Sequence, residues 1–238
     1  VTDDDSTRVI YAETAPDSGQ WLAVDITDDE RLRFSMWNDA ASTNLSAISD
    51  RSIPPGWHHV AATFSSSGGQ RVYIDGEQVG SHPNSVHHGR DTEVLIGAKY
   101  VNGGGGVLER LFSGGLDDVR VWSIARDEAA ISSGMSRTLT GDEPGLVGYW
   151  PFDEGAGDTV FDQSQLANHG SLGGGDEDQA PAWTMSAAPI DLVDTSLPFD
   201  ERNGLIAMEA EHFHRNVASS THEWESLTST PGLSGPIS

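Results

Sequence analysis

The chain has 238 residues, 36% of them hydrophobic, with seven tryptophans and no cysteine. That is enough apolar material for one large β domain, or a domain with an attachment, and it excludes disulfide frameworks, thiolate metal sites and thiol nucleophiles. The 37 acidic residues against 13 basic ones give a net charge of −24, which argues against nucleic acid as a partner, because phosphates demand a basic stripe, and favours cations.

No run approaches the roughly 20 apolar residues of a membrane-spanning helix, so no membrane insertion is expected. The chain opens on Val1 with no charged-then-apolar leader, and is expected to be a piece of something longer. Its single lysine is Lys99. An acid-rich, lysine-poor surface suits work in high salt; an Arg-favouring, GC-rich genome predicts the same composition.

Short β-branched or aromatic segments bounded by Gly, Pro, Asn, Asp and Ser predict strands at Trp21 to Ile26, Leu32 to Trp37, Trp57 to Phe64 and Arg71 to Ile74. Asp75-Gly76 between two such pieces predicts a two-residue hairpin, since both positions tolerate positive φ. A strand follows at Val94 to Gly97. The four glycines Gly103 to Gly106 lack the strand and helix context of a phosphate cradle and read as a plain loop.

Leu116 to Trp122 alternates again, and then the period changes: Asp127 caps a short helix with Glu128 in its first turn, ending near Gly134. Leu146 to Phe152 restores strand character, and Ala182 to Met185 predicts a last short strand. From Ala187 to Asn203 the composition turns to that of a linker, and Ile206 to Phe213 begins something new.

WHHVAATF, RVYIDGEQVG, FSGGLDDVRVWSIARDEAAI and GLVGYWPFDEGAGDTVFDQS, in that order, resemble the laminin-G-like jelly-roll domains of the concanavalin A-like superfamily, over roughly Gln20 to Ile190. The resemblance implies an all-β, two-layer antiparallel jelly-roll sandwich with one short helix. It also implies an extracellular or cell-surface setting, binding of glycans or proteins, and often a calcium ion. No opening strand of the family's Phe-Asp-Gly type is read before Val9. GLIAMEAEHF, Gly204 to Phe213, resembles the start of carbohydrate-binding modules of the family-6 and family-35 type. The expected organisation is therefore a sandwich over 1–190, a linker over 191–203 and an incomplete second β domain over 204–238.

Asp153, Glu154, Asp158 and Asp162 crowd one glycine-rich stretch. Catalysis of glycoside hydrolysis needs two opposed carboxylates, one kept protonated by an apolar pocket, and no such array is read, so no catalytic residue is assigned. Calcium takes six to eight loop oxygens without strict geometry; Asp153, Asp162 and Asn168, with Asp118 from its strand, are the candidate ligands. A solvated acidic loop is the alternative. In the family-6/35 resemblance, Glu209 and Glu211 form a Glu-x-Glu strand that can hold structural calcium.

Adjacent histidines on a strand face opposite sides, which makes His58-His59 structural rather than a zinc pair. Trp21, Trp37, Trp57, Trp122, Trp150 and Trp183 all lie in or beside strand segments, where most rings fill the interior. Trp37 and Tyr100, each next to polar loop sequence, are the candidate ligand contacts. The function expected is a non-catalytic module binding a glycan or a neighbouring protein subunit. Its alternatives are a structural repeat of an adhesin, sheath or filament that self-assembles through unpaired strands, and an accessory domain of a polysaccharide-degrading enzyme.

Overall fold

A computed structural model describes residues 7–14, 21–38, 43–84, 93–100, 108–175 and 180–190, all within one unit, Val1–Leu192. The expectations for Gly103 to Gly106, the linker from residue 191 and everything beyond it, including Glu209 and Glu211, lie outside the described residues.

Strands β1 (Arg8–Thr14), β2 (Trp21–Ile26), β3 (Arg31–Asn38) and β4 (Thr43–Ser52) form successive antiparallel neighbours. Strands β5 (Val60–Ser65), β6 (Gly69–Ile74) and β7 (Glu77–His82) make a second, three-stranded sheet. Strand β8 (Glu93–Ile96) then returns to the first sheet beside β1, giving the order β4-β3-β2-β1-β8. Strand β9 (Lys99–Tyr100) pairs with β10 (Leu108–Glu109), β11 (Val119–Trp122) with β12 (Leu146–Trp150), and β13 (Thr159–Val160) with β14 (Gly170–Ser171). Helix α1 (Glu128–Gly134) separates β11 from β12. Every pairing is antiparallel, and the architecture is the jelly-roll sandwich that the sequence predicts.

Period-two alternation builds the core. In β3, Leu32, Phe34 and Met36 point to one side and are buried with Ala47 of β4 against Val72 and Ile74 of β6 and Val79 of β7. That cluster glues the five-stranded sheet to the three-stranded one. Ala23 and Asp25 of β2 and Arg33 and Ser35 of β3 are buried too, and Val9, Ala12 and Ala23 form a cluster of their own. There Arg33 donates from Nε and Nη2 to the two carboxylate oxygens of Asp25 at 2.8 and 3.0 Å, with 7% and 2% of the two side chains exposed. A buried charge is tolerable only when so paired. Lys99, the chain's one lysine, is also buried, with 2% of its surface exposed.

Three departures from the sequence expectation have physical causes. Strand β1, unread in the sequence, is an interior strand of its sheet, between β2 and β8, and a register shift between Val9 and Tyr11 interrupts its alternation. Strand β5 begins at Val60 rather than Trp57, because Pro54, Pro55 and Gly56 deliver the chain to it as a loop. Residues 182–185 form no strand; Trp183 is instead tied by its Nε1 to the carbonyl of Gly157 at 2.8 Å.

Candidate functional site

The acidic stretch after β12 is organised around Asp162. Its carboxylate, in a residue only 3% exposed, accepts Tyr149 N (2.9 Å) and Ser164 N (2.8 Å) on Oδ1, and Ser164 Oγ (2.9 Å) and Asn168 N (2.8 Å) on Oδ2. Burial works to raise its pKa, and these donors together outweigh burial, so Asp162 titrates below the ordinary aspartate range. A carboxylate offers about four lone-pair sites; here all four are engaged by the turn.

Of the other candidate calcium ligands, Asn168 lies beside Asp162. Asn168 gives its N–H to Asp162 and its carbonyl to Trp150 Nε1 at 3.2 Å. Asp153 is exposed. Asp118 pairs with Arg120; burial raises its carboxyl, partly opposed by the Arg120 guanidinium and a hydrogen bond from the Tyr149 hydroxyl. Among the described residues no group of three His, Asp or Glu side chains is placed to hold a metal ion. Asp162 thus acts as an anchor for the main-chain N–H groups of this turn.

Arg120 ties the helix to β11. Its Nη1 donates to the carbonyl of Gly134 at 2.8 Å, its Nη2 to that of Arg137, and its guanidinium lies 5.8 Å from the Tyr149 ring centroid. At the other end of α1 the Asp127 side chain accepts Ala130 N at 2.8 Å, the cap expected from sequence.

The two adjacent histidines serve the Asp75-Gly76 hairpin. Both turn residues take positive φ, 52° and 80°, as a type I′ turn requires. Asp75 Oδ2 bonds His58 Nδ1 at 2.8 Å, and Oδ1 accepts His59 N at 3.0 Å. Burial, with the Arg120 charge adding and Asp75 opposing, lowers the His59 imidazole to about 4. His58 and His59 lie in the loop before β5 rather than on the strand expected from sequence, and both brace the hairpin through Asp75.

Of the proposed ligand contacts, Trp37 on β3 is half-buried, opposite Asn44 of β4. Tyr100 is half-buried on β9 and donates its hydroxyl to Glu93 Oε2 at 2.6 Å. The structure leaves the two on opposite borders of the five-stranded sheet's strand order, Trp37 toward β4 and Tyr100 by β8. Trp150 is buried and Trp122 is capped by the Arg126 guanidinium, 4.0 Å from its ring centroid. Trp57, one of the six tryptophans of which most are expected in the interior, is exposed, at 36%. A Cβ placed on Gly115 would lie 2.8 Å from Cη2 and 3.0 Å from Cζ2 of this indole, so the ring rests directly on bare glycine backbone.

A protein-family model described as the concanavalin A-like lectin/glucanases superfamily matches residues 1–132, more than half of the chain. The chain belongs to this superfamily. No curated relative matches it. Similar solved structures include a candidate carbohydrate binding protein from Bacteroides ovatus ATCC 8483, at 21% identity and a TM-score of 0.46, covering 71% of this chain and 52% of that one. They also include the CBM40 of a Ruminococcus gnavus IT-sialidase, at 12% identity and a TM-score of 0.46, covering 56% and 77%. A third is an S-layer domain-containing protein (residues 221–444) from Clostridium thermocellum ATCC 27405, at 20% identity and a TM-score of 0.30, covering 56% and 64%. The chain thus spans about half the length of the first of these. Within the superfamily's two named activities, lectin and glucanase, the chemistry of the acids is what discriminates.

Proposed function

We propose that this is a non-catalytic glycan-binding module of a secreted or cell-surface protein. The observation that carries the reading is the fate of the buried carboxylates: Asp25 is held by Arg33, Asp118 by Arg120, and Asp162 by four donors. A glucanase needs one carboxyl poised as an acid and a second, about 5–9.5 Å away, as nucleophile or base. Asp162, saturated by N–H and O–H donors, and Asp25, bound to a guanidinium, are neither, and the carboxyl of Asp118, raised by burial, is itself paired with Arg120. What a rigid sandwich of this superfamily retains without them is recognition, the lectin half of its repertoire. No helix among the described residues is long and apolar enough to cross a membrane.

Affinity electrophoresis through gels containing soluble polysaccharides, with a reducing-sugar assay on the same samples, tests both halves. Retardation by at least one polysaccharide without sugar release is expected. Release of reducing ends overturns the non-catalytic reading. Absence of retardation on every gel, with the chain eluting as a large multimer, overturns glycan binding in favour of a structural repeat.

A further inference from the structure

Trp57 stands exposed, alone among the tryptophans whose side chains are described, and its setting is unusual for a surface ring. Large aromatic side chains mostly bury; an exposed ring carries an unmet hydrophobic driving force unless something covers it. This indole is also held in place. Pro54, Pro55 and Gly56 form the loop before it, with Gly56 at a φ of 131° that side-chain-bearing residues rarely adopt. Gly115, with no Cβ, lets the benzo edge of the ring settle onto the backbone. The next residue, His58, is fixed by its Nδ1 contact with Asp75, and its Nε2 has no partner among the described residues.

We infer that Trp57 is the platform on which this module stacks an uncharged pyranose, with His58 Nε2 beside it as a polar contact for a hydroxyl. The indole face carries the negative side of the ring quadrupole, which attracts the weakly positive C–H groups on the apolar face of a hexose while that face leaves water. A ring already immobilised on Gly115 loses little conformational freedom on binding. The class of sugar follows from charge: a net −24, with Asp75 at the site's edge and half exposed, repels uronates and sialates and leaves neutral glycans. This rests on the proposed glycan-binding function and names its locus and ligand class.

The test uses the folded chain and affinity gels of two kinds, neutral (hydroxyethylcellulose, galactomannan, xylan) and anionic (alginate, polygalacturonate). Retardation confined to neutral gels is expected, with Trp57→Ala losing at least tenfold in affinity and Trp57→Phe keeping part of it. Leu166→Ala, in the acidic turn around Asp162, should match the parent chain. A direct readout avoids any folding defect of the variants: N-bromosuccinimide oxidation of the parent chain, mapped by peptide mass, should slow at Trp57 when a retarding neutral oligosaccharide is added. Unchanged Trp57 oxidation, or loss of retardation in Trp37→Ala or Tyr100→Phe but not in Trp57→Ala, overturns the platform and leaves glycan binding standing. Retardation by the anionic gels alone overturns the ligand class. No retardation by any gel overturns the glycan-binding function and this site with it.

Discussion

Two turns of this molecule are each held by one aspartate, and they hold in opposite ways. Asp75, at the β6–β7 hairpin, is half exposed and grips the loop ahead of β5 through His58 and His59 N. Asp162, after β13, is buried and saturated, three of its four donors being main-chain N–H groups of Tyr149, Ser164 and Asn168. The first side chain shares its work with a backbone that already favours the turn, since Gly76 accepts positive φ freely. The second replaces absent secondary structure: residues 161–169 form no ladder, and the carboxylate satisfies N–H groups that would otherwise be orphaned.

The comparison predicts its own sharpest break. Asp162→Ala should cost on the order of 3 kcal/mol in urea unfolding, because several buried donors lose their acceptor at once. A loss under about 1 kcal/mol would mean that water replaces the carboxylate and the turn is less dry than its burial indicates.

The two regions should also separate by pH. His59, beside the hairpin, titrates in the folded chain near 4 because of burial, against about 6.5 when unfolded. The unfolded chain therefore binds more protons between these values. Stability that is full above pH 6.5 falls toward pH 4, with a slope approaching about 1.4 kcal/mol per pH unit from this group. Asp162 has a depressed pKa, so its contribution is present above the unfolded value of about 3.9 and is lost only as pH falls further. Urea midpoints measured from pH 7 to 3 should show both phases. His59→Gln should flatten the first and Asp162→Asn the second; a single phase untouched by either variant would contradict the assignment.

Asp75→Asn should cost about 0.5–1 kcal/mol, since Asn tolerates positive φ and a half-exposed acceptor is readily replaced by water. The smallest expected effect is that of calcium. With the Asp162 oxygens filled, melting temperatures in EDTA and in millimolar CaCl2 should agree within about 1 °C, whereas occupancy of a tight site would raise the second by several degrees.

Much of the sandwich was legible because its signals are local. β2 is an apolar, partly β-branched run, β3 alternates, Asp75-Gly76 specifies its own turn, and Asp127 caps α1 as its position predicts. β1 escaped because its register shift puts Val9 and Ala12, three residues apart, in one cluster, which breaks the period of two. β4 reads TNLSAISDRS, poor in β-branched and aromatic residues, and is a strand because β3 supplies a partner along most of its length. The site was less legible. The acids around Asp162 were visible as a cluster, but composition does not distinguish oxygens that face a cation from oxygens that face N–H groups. Trp57 and the Gly115 beneath it lie 58 positions apart, a relation that no periodicity encodes.

The solitary lysine has a practical consequence. With Lys99 enclosed, the folded module presents no readily accessible ε-amine among its described residues, so acylation at that position by an amine-selective reagent must await an opening of the surrounding structure. Mass spectrometry of the Lys99 peptide after timed exposure then serves as a covalent clock for local opening near β9, reporting through one atom how often this layer parts.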